Sequence, residues 1–284
     1  MHVWSKLSAA KWTDAWEERF NGLPDTPSVI TAIPGKPTIR IEVYCQTKRR
    51  AVEIQKVFGG SIRALKNQNW ATMAPAPLPP LKVRDRLIIS SASSKQDLQK
   101  VQAEFPGRQI ISAPADLAFG TGHHATTATV LRLLTDLAEQ WEAEGRAWNI
   151  ADLGCGTGVL GIAAERLGAS EVWGCDFDPL AVKVAQANIR RNRAKRCTFE
   201  EADVLKWKPR RKWDCIAANL FCDVLEAAFP ALPRALKKNG VLLVSGILKA
   251  QSEACLDAGR KAGFEFDEII TKGKWVTARG RLKR

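Results

Sequence analysis

Polar and apolar residues alternate from Thr38 to Cys45 as T-I-R-I-E-V-Y-C, the period of a half-buried strand. Upstream, Trp4, Leu7, Trp12, Trp16 and Phe20 recur at roughly helical spacing. That spacing predicts an amphipathic helix over Trp4 to Phe20 whose aromatics belong to a core. Lys48 to Val57 reads as a helix stopped by Gly59-Gly60, with a strand at Ser61 to Leu65. A stretch carrying Pro75, Pro77, Pro79 and Pro80 follows. Beyond it, the pattern predicts a strand at Leu87 to Ile89 and a helix from Ser93 to Phe105, capped by Ser93 or Ser94. This half reads as a small α+β domain. It holds no constellation that runs chemistry, which suits recognition better than catalysis.

The second half has a different rhythm. After Ile110-Ile111 a glycine loop, Phe119-Gly120-Thr121-Gly122, opens onto a helix from about Thr126 to Trp141. From Trp148 onward, strands and helices alternate. Strands are predicted at Trp148–Leu153, Glu171–Cys175, Cys197–Ala202, Trp213–Ala218 and Gly240–Ser245, and helices at Val159–Leu167, Pro179–Arg191, Asp223–Leu236 and Lys249–Ala262. Two last strands fit Phe264–Thr271 and Trp275–Arg281. Alternation of this kind predicts a doubly wound α/β sheet, with ligands beyond the carboxyl ends of its strands.

The sharpest signal sits at the first of those ends, Ile150 to Gly158, I-A-D-L-G-C-G-T-G. A strand, a glycine loop and a helix N-terminus form a site for a nucleotide-like cofactor. The dinucleotide fingerprint G-x-G-x-x-G would need a glycine at position 159, which is Val159. Asp152 has no use beside a diphosphate but suits the ammonium of a methionine moiety. Asp176 closes the next strand, 22 residues after Gly154. An acid at about that distance suits a ribose diol. With Gly156 between them, these residues favour S-adenosylmethionine over a nicotinamide cofactor. Asp203 and Asn219 fall at two further strand ends, Asp203 as a partner for an adenine amino group or a turn cap. Thr126 and Thr127 can cap their helix or bind a ligand carboxylate. His123 and His124 are adjacent, so their side chains rarely share one site.

Composition narrows the picture. No apolar run approaches the ~20 residues of a membrane helix, and the start M-H-V-W-S-K lacks a signal-peptide core. The seven cysteines contain no C-x-x-C pair and read as reduced thiols of a cytoplasmic protein. Three histidines suggest no metal cluster. The net charge of +13 admits weak contact with RNA; its basic runs, Arg190 to Arg196, Lys206 to Lys212 and Lys272 to Arg284, also suit solvated faces.

A-F-G-T-G-H-H-A-T-T, D-L-G-C-G-T-G-V-L-G-I-A-A, G-C-D-F-D-P-L-A-V, A-N-L and S-G-I-L-K-A-Q, taken together, resemble the bacterial PrmA family. These enzymes methylate protein eleven of the large ribosomal subunit. The likeness covers roughly residues 110 to 284, and N-Q-N-W at 67 to 70 extends it toward the family's recognition domain. Departures are Ala125 where the family has proline, and Asn219-Leu220-Phe221 where it has N-I-L. The resemblance implies a class I S-adenosylmethionine-dependent methyltransferase fold, a seven-stranded sheet behind the smaller α+β domain. We divide the chain accordingly into a recognition domain at 1–90, a linker at 91–112 and a methyltransferase domain at 113–284. Cofactor contacts carried over by motif fall on Thr127, Gly154, Asp176 and Asn219. The implied reaction is N-methylation of lysine side chains, an N-terminal α-amine, or both, on a basic ribosomal protein, by a monomer. Only a neutral amine attacks, and a free lysine has a pKa of roughly 10.4. No residue presents itself as the general base, so the catalytic assignment stays open. RNA, another lysine-bearing target such as an electron-transfer flavoprotein, or simple binding without catalysis are the competing readings.

Overall fold

The computed structural model describes residues 2–10, 28–45, 47–64, 79–114, 122 and 124–283, together with Thr13, Trp16 and Phe20. The N-Q-N-W segment, His123 and all of 115–121, with Phe119-Gly120-Thr121 of the predicted glycine loop, lie outside the described residues. The chain forms two compact units, Met1–Pro75 and Ala76–Arg284.

In the first unit, β1 (His2–Ala9), β2 (Ser28–Ala32), β3 (Thr38–Cys45) and β4 (Ser61–Ala64) make an antiparallel sheet in the order β2-β3-β1-β4. Helix α1 (Lys48–Phe58) is capped by Thr47, whose side chain accepts from the Arg50 amide. The helix expected from Trp4 is corrected here: His2–Ala9 is a strand paired on both sides, with β3 and β4. Two ladders of backbone hydrogen bonds outweigh a helical spacing of aromatics whose local propensity is weak. The aromatics do form a core. Trp4 is fully buried, and Trp16, Phe20 and Phe58 lie with ring centroids 5.7–6.2 Å from it.

In the second unit, β5 (Leu81–Val83), β6 (Leu87–Ser90) and β7 (Gln109–Ser112) form a small sheet. β6 pairs antiparallel with β5 and parallel with β7, through α2 (Lys95–Glu104). Two expectations change. The boundary placed at residue 90 falls at 75/76, and the linker placed at 91–112 contains a helix and a strand. The cause is apolar burial. Val101, Phe105 and Ile111 are buried, which a linker's residues would not be, and they pack with the fully buried Leu87, Ile88 and Ile89 of β6.

The main sheet holds β8 (Asn149–Leu153), β9 (Glu171–Asp176), β10 (Cys197–Glu201), β11 (Trp213–Asn219), β12 (Leu236–Leu248), β13 (Phe264–Lys272) and β14 (Trp275–Leu282). Their order is β10-β9-β8-β11-β12-β14-β13. β8 to β12 run parallel, and β14 enters antiparallel between β12 and β13. Side chains alternate between the faces, as strand geometry requires. Ile150, Cys215, Ala217, Val241 and Leu243 join one core, packed with α3 (Ala125–Ala143), α4 (Val159–Arg166) and α5 (Pro179–Asn192). Ala151, Ile216, Ala218, Leu242 and Val244 join the other. There they pack with α6 (Cys222–Ala228), α7 (Leu232–Ala235) and α8 (Ser252–Lys261). This is the seven-stranded class I methyltransferase architecture expected from the sequence. The single helix predicted over Asp223–Leu236 is instead broken into α6, a 3-10 turn and α7, because Pro230 and Pro233 each remove an amide donor.

Candidate functional site

The parallel strands set one edge of the sheet apart. β8, β9 and β11 end side by side at Leu153, Asp176 and Asn219, with β8 in the middle. After β8 the chain must turn at once into α4, and it does so with Gly154, Gly156 and Gly158 all at positive φ. Gly154 also leaves no room for a side chain, since a Cβ there would stand 2.3 Å from Leu220 Cδ2. The amides of Gly154 and Cys155 both donate to the Cys175 carbonyl, at 2.8 and 2.9 Å. The loop is thereby laced to the neighbouring strand.

Asp176 finishes the lacing. Its Oδ2 accepts from the Gly156 amide at 2.9 Å and its Oδ1 from the Asp178 amide at 3.0 Å. Each carboxylate oxygen retains acceptor capacity, because each has two lone pairs and one donor. Next to it, Phe177 is exposed.

Asp152 lies beneath the loop and is fully buried. Its Oδ2 accepts from the Gly161 amide at 3.2 Å, and its Oδ1 has no partner among the described residues. Burial pushes this carboxyl up to about 7, against the Gly161 hydrogen bond and with a further push from Asp176. On the other side of β8, Asn219 donates from Nδ2 to Thr127 Oγ1 at 3.2 Å. Its Oδ1 is likewise buried without a partner among the described residues. Buried acceptors are nearly always satisfied in native proteins. Two orphans beside one glycine loop therefore call for donors from beyond the described residues.

The six sequence-selected residues thus fall into three linked groups: Gly156 with Asp176, Thr127 with Asn219, and Asp152 under the loop begun by Gly154. Others go elsewhere. Thr126 Oγ1 bonds His124 Nδ1 at 2.7 Å, and the His124 ring stands edge-on to Trp275, at 5.1 Å between centroids. Asp203 caps a 3-10 turn by accepting from the Leu205 amide at 2.9 Å. Burial raises the Cys155 and Cys175 thiols, Cys175 to about 12, so neither offers a thiolate nucleophile at neutral pH. One contributor was not singled out from the sequence. Gly246, at φ 85°, lies so close to the backbone of Leu220 that a Cβ would come within 2.3 Å of its carbonyl oxygen. This glycine fixes the turn that carries Asn219 into Phe221. Its position directly after the strand expected at Gly240–Ser245 was the available signal.

Comparison with known proteins agrees with this geometry. The profile of the family described as ribosomal protein L11 methyltransferase (PrmA) matches residues 12–283. A ribosomal protein L11 methyltransferase of Acetivibrio thermocellus is 34% identical over 209 residues, covering 74% of this chain and 63% of the relative. One from Pelotomaculum thermopropionicum is 34% identical over 224 residues, covering 78% and 68%. The alignment therefore spans slightly less than two thirds of the first relative's own length. A crystal structure of a ribosomal protein L11 methylase from Lactobacillus delbrueckii subsp. bulgaricus superposes with a TM-score of 0.61 at 25% identity, over 72% of this chain and 99% of that one. By fold, by the arrangement of its strand ends and by sequence, the chain belongs to the ribosomal protein L11 methyltransferase (PrmA) family.

Proposed function

We propose that the chain transfers methyl groups from S-adenosylmethionine to amine nitrogens of the large-subunit ribosomal protein L11, on lysine side chains, the N-terminal α-amine, or both. The observation that carries this reading is the pair of buried oxygens, Asp152 Oδ1 and Asn219 Oδ1, that have no partner among the described residues and flank a loop held open by glycines. The donor set fits S-adenosylmethionine. A carboxylate with a free oxygen suits its ammonium, directly or through a water. Asp176, with spare lone pairs on both oxygens, suits its ribose diol. Gly154 and Gly156 leave backbone open beneath it. When bound, the cofactor supplies a methyl carbon on a positively charged sulfur, already a good leaving group.

The chain's own task is then to present a neutral amine in line with that carbon. Asn219 can do so, because its Nδ2 is committed to Thr127, which orients its carbonyl oxygen, and that oxygen has no partner among the described residues. An amide oxygen accepts a hydrogen bond from an N–H without taking the proton, so it orients the amine and leaves its lone pair to attack. Removing the ammonium from water favours the neutral form. Positioning accounts for much of the remaining rate. No side chain is assigned as general base.

We assign protein recognition to the first unit, and place the chain in the cytoplasm as a monomer, in keeping with its free thiols. Deleting residues 1–75 should abolish methylation of L11 while preserving S-adenosylmethionine binding, as read by label transfer and calorimetry. Undiminished transfer by the shortened chain would remove the first unit from substrate recognition. A cut at residue 90 is the wrong test, because it would also take β5 and β6 out of the second unit.

A further inference from the structure

The opposite edge of the main sheet, where the parallel strands begin, carries charge of the other sign from the site. Arg193 and Lys195 precede β10, Lys208, Arg210 and Lys212 precede β11, and Lys238 lies at the start of β12. All six are exposed, and none forms an ion pair among the described residues. Two acids beside these cations are already neutralised. Asp214 is paired with Arg146 at 2.9 Å and Lys237 at 2.7 Å, and Glu171 with Arg211 at 2.5 Å. At the carboxyl end of β9 to β11 stand Asp176, Asp178, Glu201, Asp203 and Asp223, Asp203 paired with Lys206 at 3.3 Å, while Lys249 and Lys274 stand beyond the end of β12.

This basic edge is presented on fixed backbone. Trp207 stacks on Trp173 at 5.3 Å and 14°, and Trp173 stacks on Trp213 at 6.2 Å and 22°. Both ends of the segment 208–212 are therefore pinned to the sheet, and its backbone need not be ordered on binding. Leu236 pairs with Trp213 and Val241 with Cys215, so Lys237 and Lys238 fall in the bulge between those pairs. From β10 to β12 there are four strand spacings, about 19 Å in all. A row of that width can meet several phosphates of one nucleic-acid backbone at once.

We propose that the strand-start edge, with Arg193, Lys195, Lys208, Arg210, Lys212 and Lys238, is a docking surface for the phosphate backbone of RNA, on the far side of the sheet from methyl transfer. Electrostatics asks for closely spaced anions in a row; the choice of RNA rests on the ribosomal substrate proposed above. Phosphate contacts of this kind are sequence-independent and salt-dependent. The polarity of the sheet then has a use. The acidic edge receives a cationic cofactor and a basic protein, and the basic edge holds the RNA that would otherwise compete for that protein.

The test is fluorescence anisotropy of a fluorescein-labelled RNA hairpin titrated with the full chain, without cofactor, between about 50 and 200 mM salt. Omitting the cofactor separates this result from that of the methylation reading. The variant R193E/K195E/R210E/K212E should bind at least tenfold more weakly, with a shallower dependence on salt. K48E/R49E/K56E/K95E, an equal change of charge on α1 and α2, away from the strand starts of the main sheet, should lose less than about threefold. Should the reversals disturb the circular dichroism or melting of the chain, R193Q/K195Q/R210Q/K212Q replaces them, with a smaller loss expected in the same order. Equal losses in the two variants, no wild-type binding at about 150 mM salt, or tighter binding of polyglutamate than of RNA would each overturn the proposal.

Discussion

Replacing Asp176 by alanine should weaken S-adenosylmethionine binding by about 100-fold or more, measured by calorimetry. Two charge-assisted hydrogen bonds to a sugar diol contribute on the order of 3–4 kcal/mol together, which is that factor or more. A second loss adds to it, because the carboxylate also fixes the cofactor loop through the Gly156 amide and its own turn through the Asp178 amide. Asp176→Asn separates the two contributions. It keeps a carbonyl acceptor but removes the charge, so its affinity should fall between those of wild type and alanine. Both variants should stay folded, since among the described residues the hydrogen bonds of the Asp176 side chain go only to the loop amides of Gly156 and Asp178, and the strand pairing of β9 does not use it. Unchanged affinity in the alanine variant would place the sugar somewhere else.

Asp152→Asn should have the largest effect on pH dependence. In the free chain the carboxyl titrates at about 7, whereas in the unfolded chain it titrates near ~3.9. Between those values the native state holds a proton that the unfolded state releases. Stability contributed by this group is therefore fully present below about pH 4 and declines as pH rises to about 7. The amide has no such penalty. Asp152→Asn should then be the more stable protein at pH 7.5, by up to about 4 kcal/mol, with the advantage gone near pH 4. Chemical denaturation at the two pH values reads this directly. Cofactor binding should move the other way. If the ionised carboxylate receives the ammonium, wild-type affinity should fall up to about tenfold for each pH unit below 7. Asp152→Asn should bind more weakly at pH 7.5 and lose that acid limb. A wild-type affinity flat from pH 6 to 7.5 would show that no proton leaves Asp152 on binding.

Most of the second unit was legible because its signals are local. A buried strand running into three glycines can hardly do anything but turn tightly into a helix, and the acid closing the next strand falls beside it once the strands pair in parallel. Asp152, Gly154 and Asp176 could be named on those grounds. Asn219 was named as a strand end and Thr127 as a hydroxyl at a helix start, but their hydrogen bond joins residues far apart in the chain, and no spacing announces it. Gly246 escaped because its role is to make room for Leu220, a contact that exists only in three dimensions. The first unit was misread where periodicity was ambiguous. Trp4 and Leu7 fit a helical stripe, yet β1 has two strand partners, and pairing decided the matter. The supposed linker failed for a related reason. Ile88 is buried among Val101 and Phe105 of its own small sheet and helix, a core too short-range in sequence to show as a domain signal.

The most direct measurement is mass spectrometry of purified, unmethylated ribosomal protein L11 after incubation with the full chain and S-adenosylmethionine, with peptide mapping of any product. The account predicts whole methyl units on amine nitrogens, lysine or N-terminal, and none in the presence of Asp176→Ala at the same cofactor concentration. Methyl groups found only on carboxylates, or an L11 left unmodified by a chain that binds the cofactor, would contradict it.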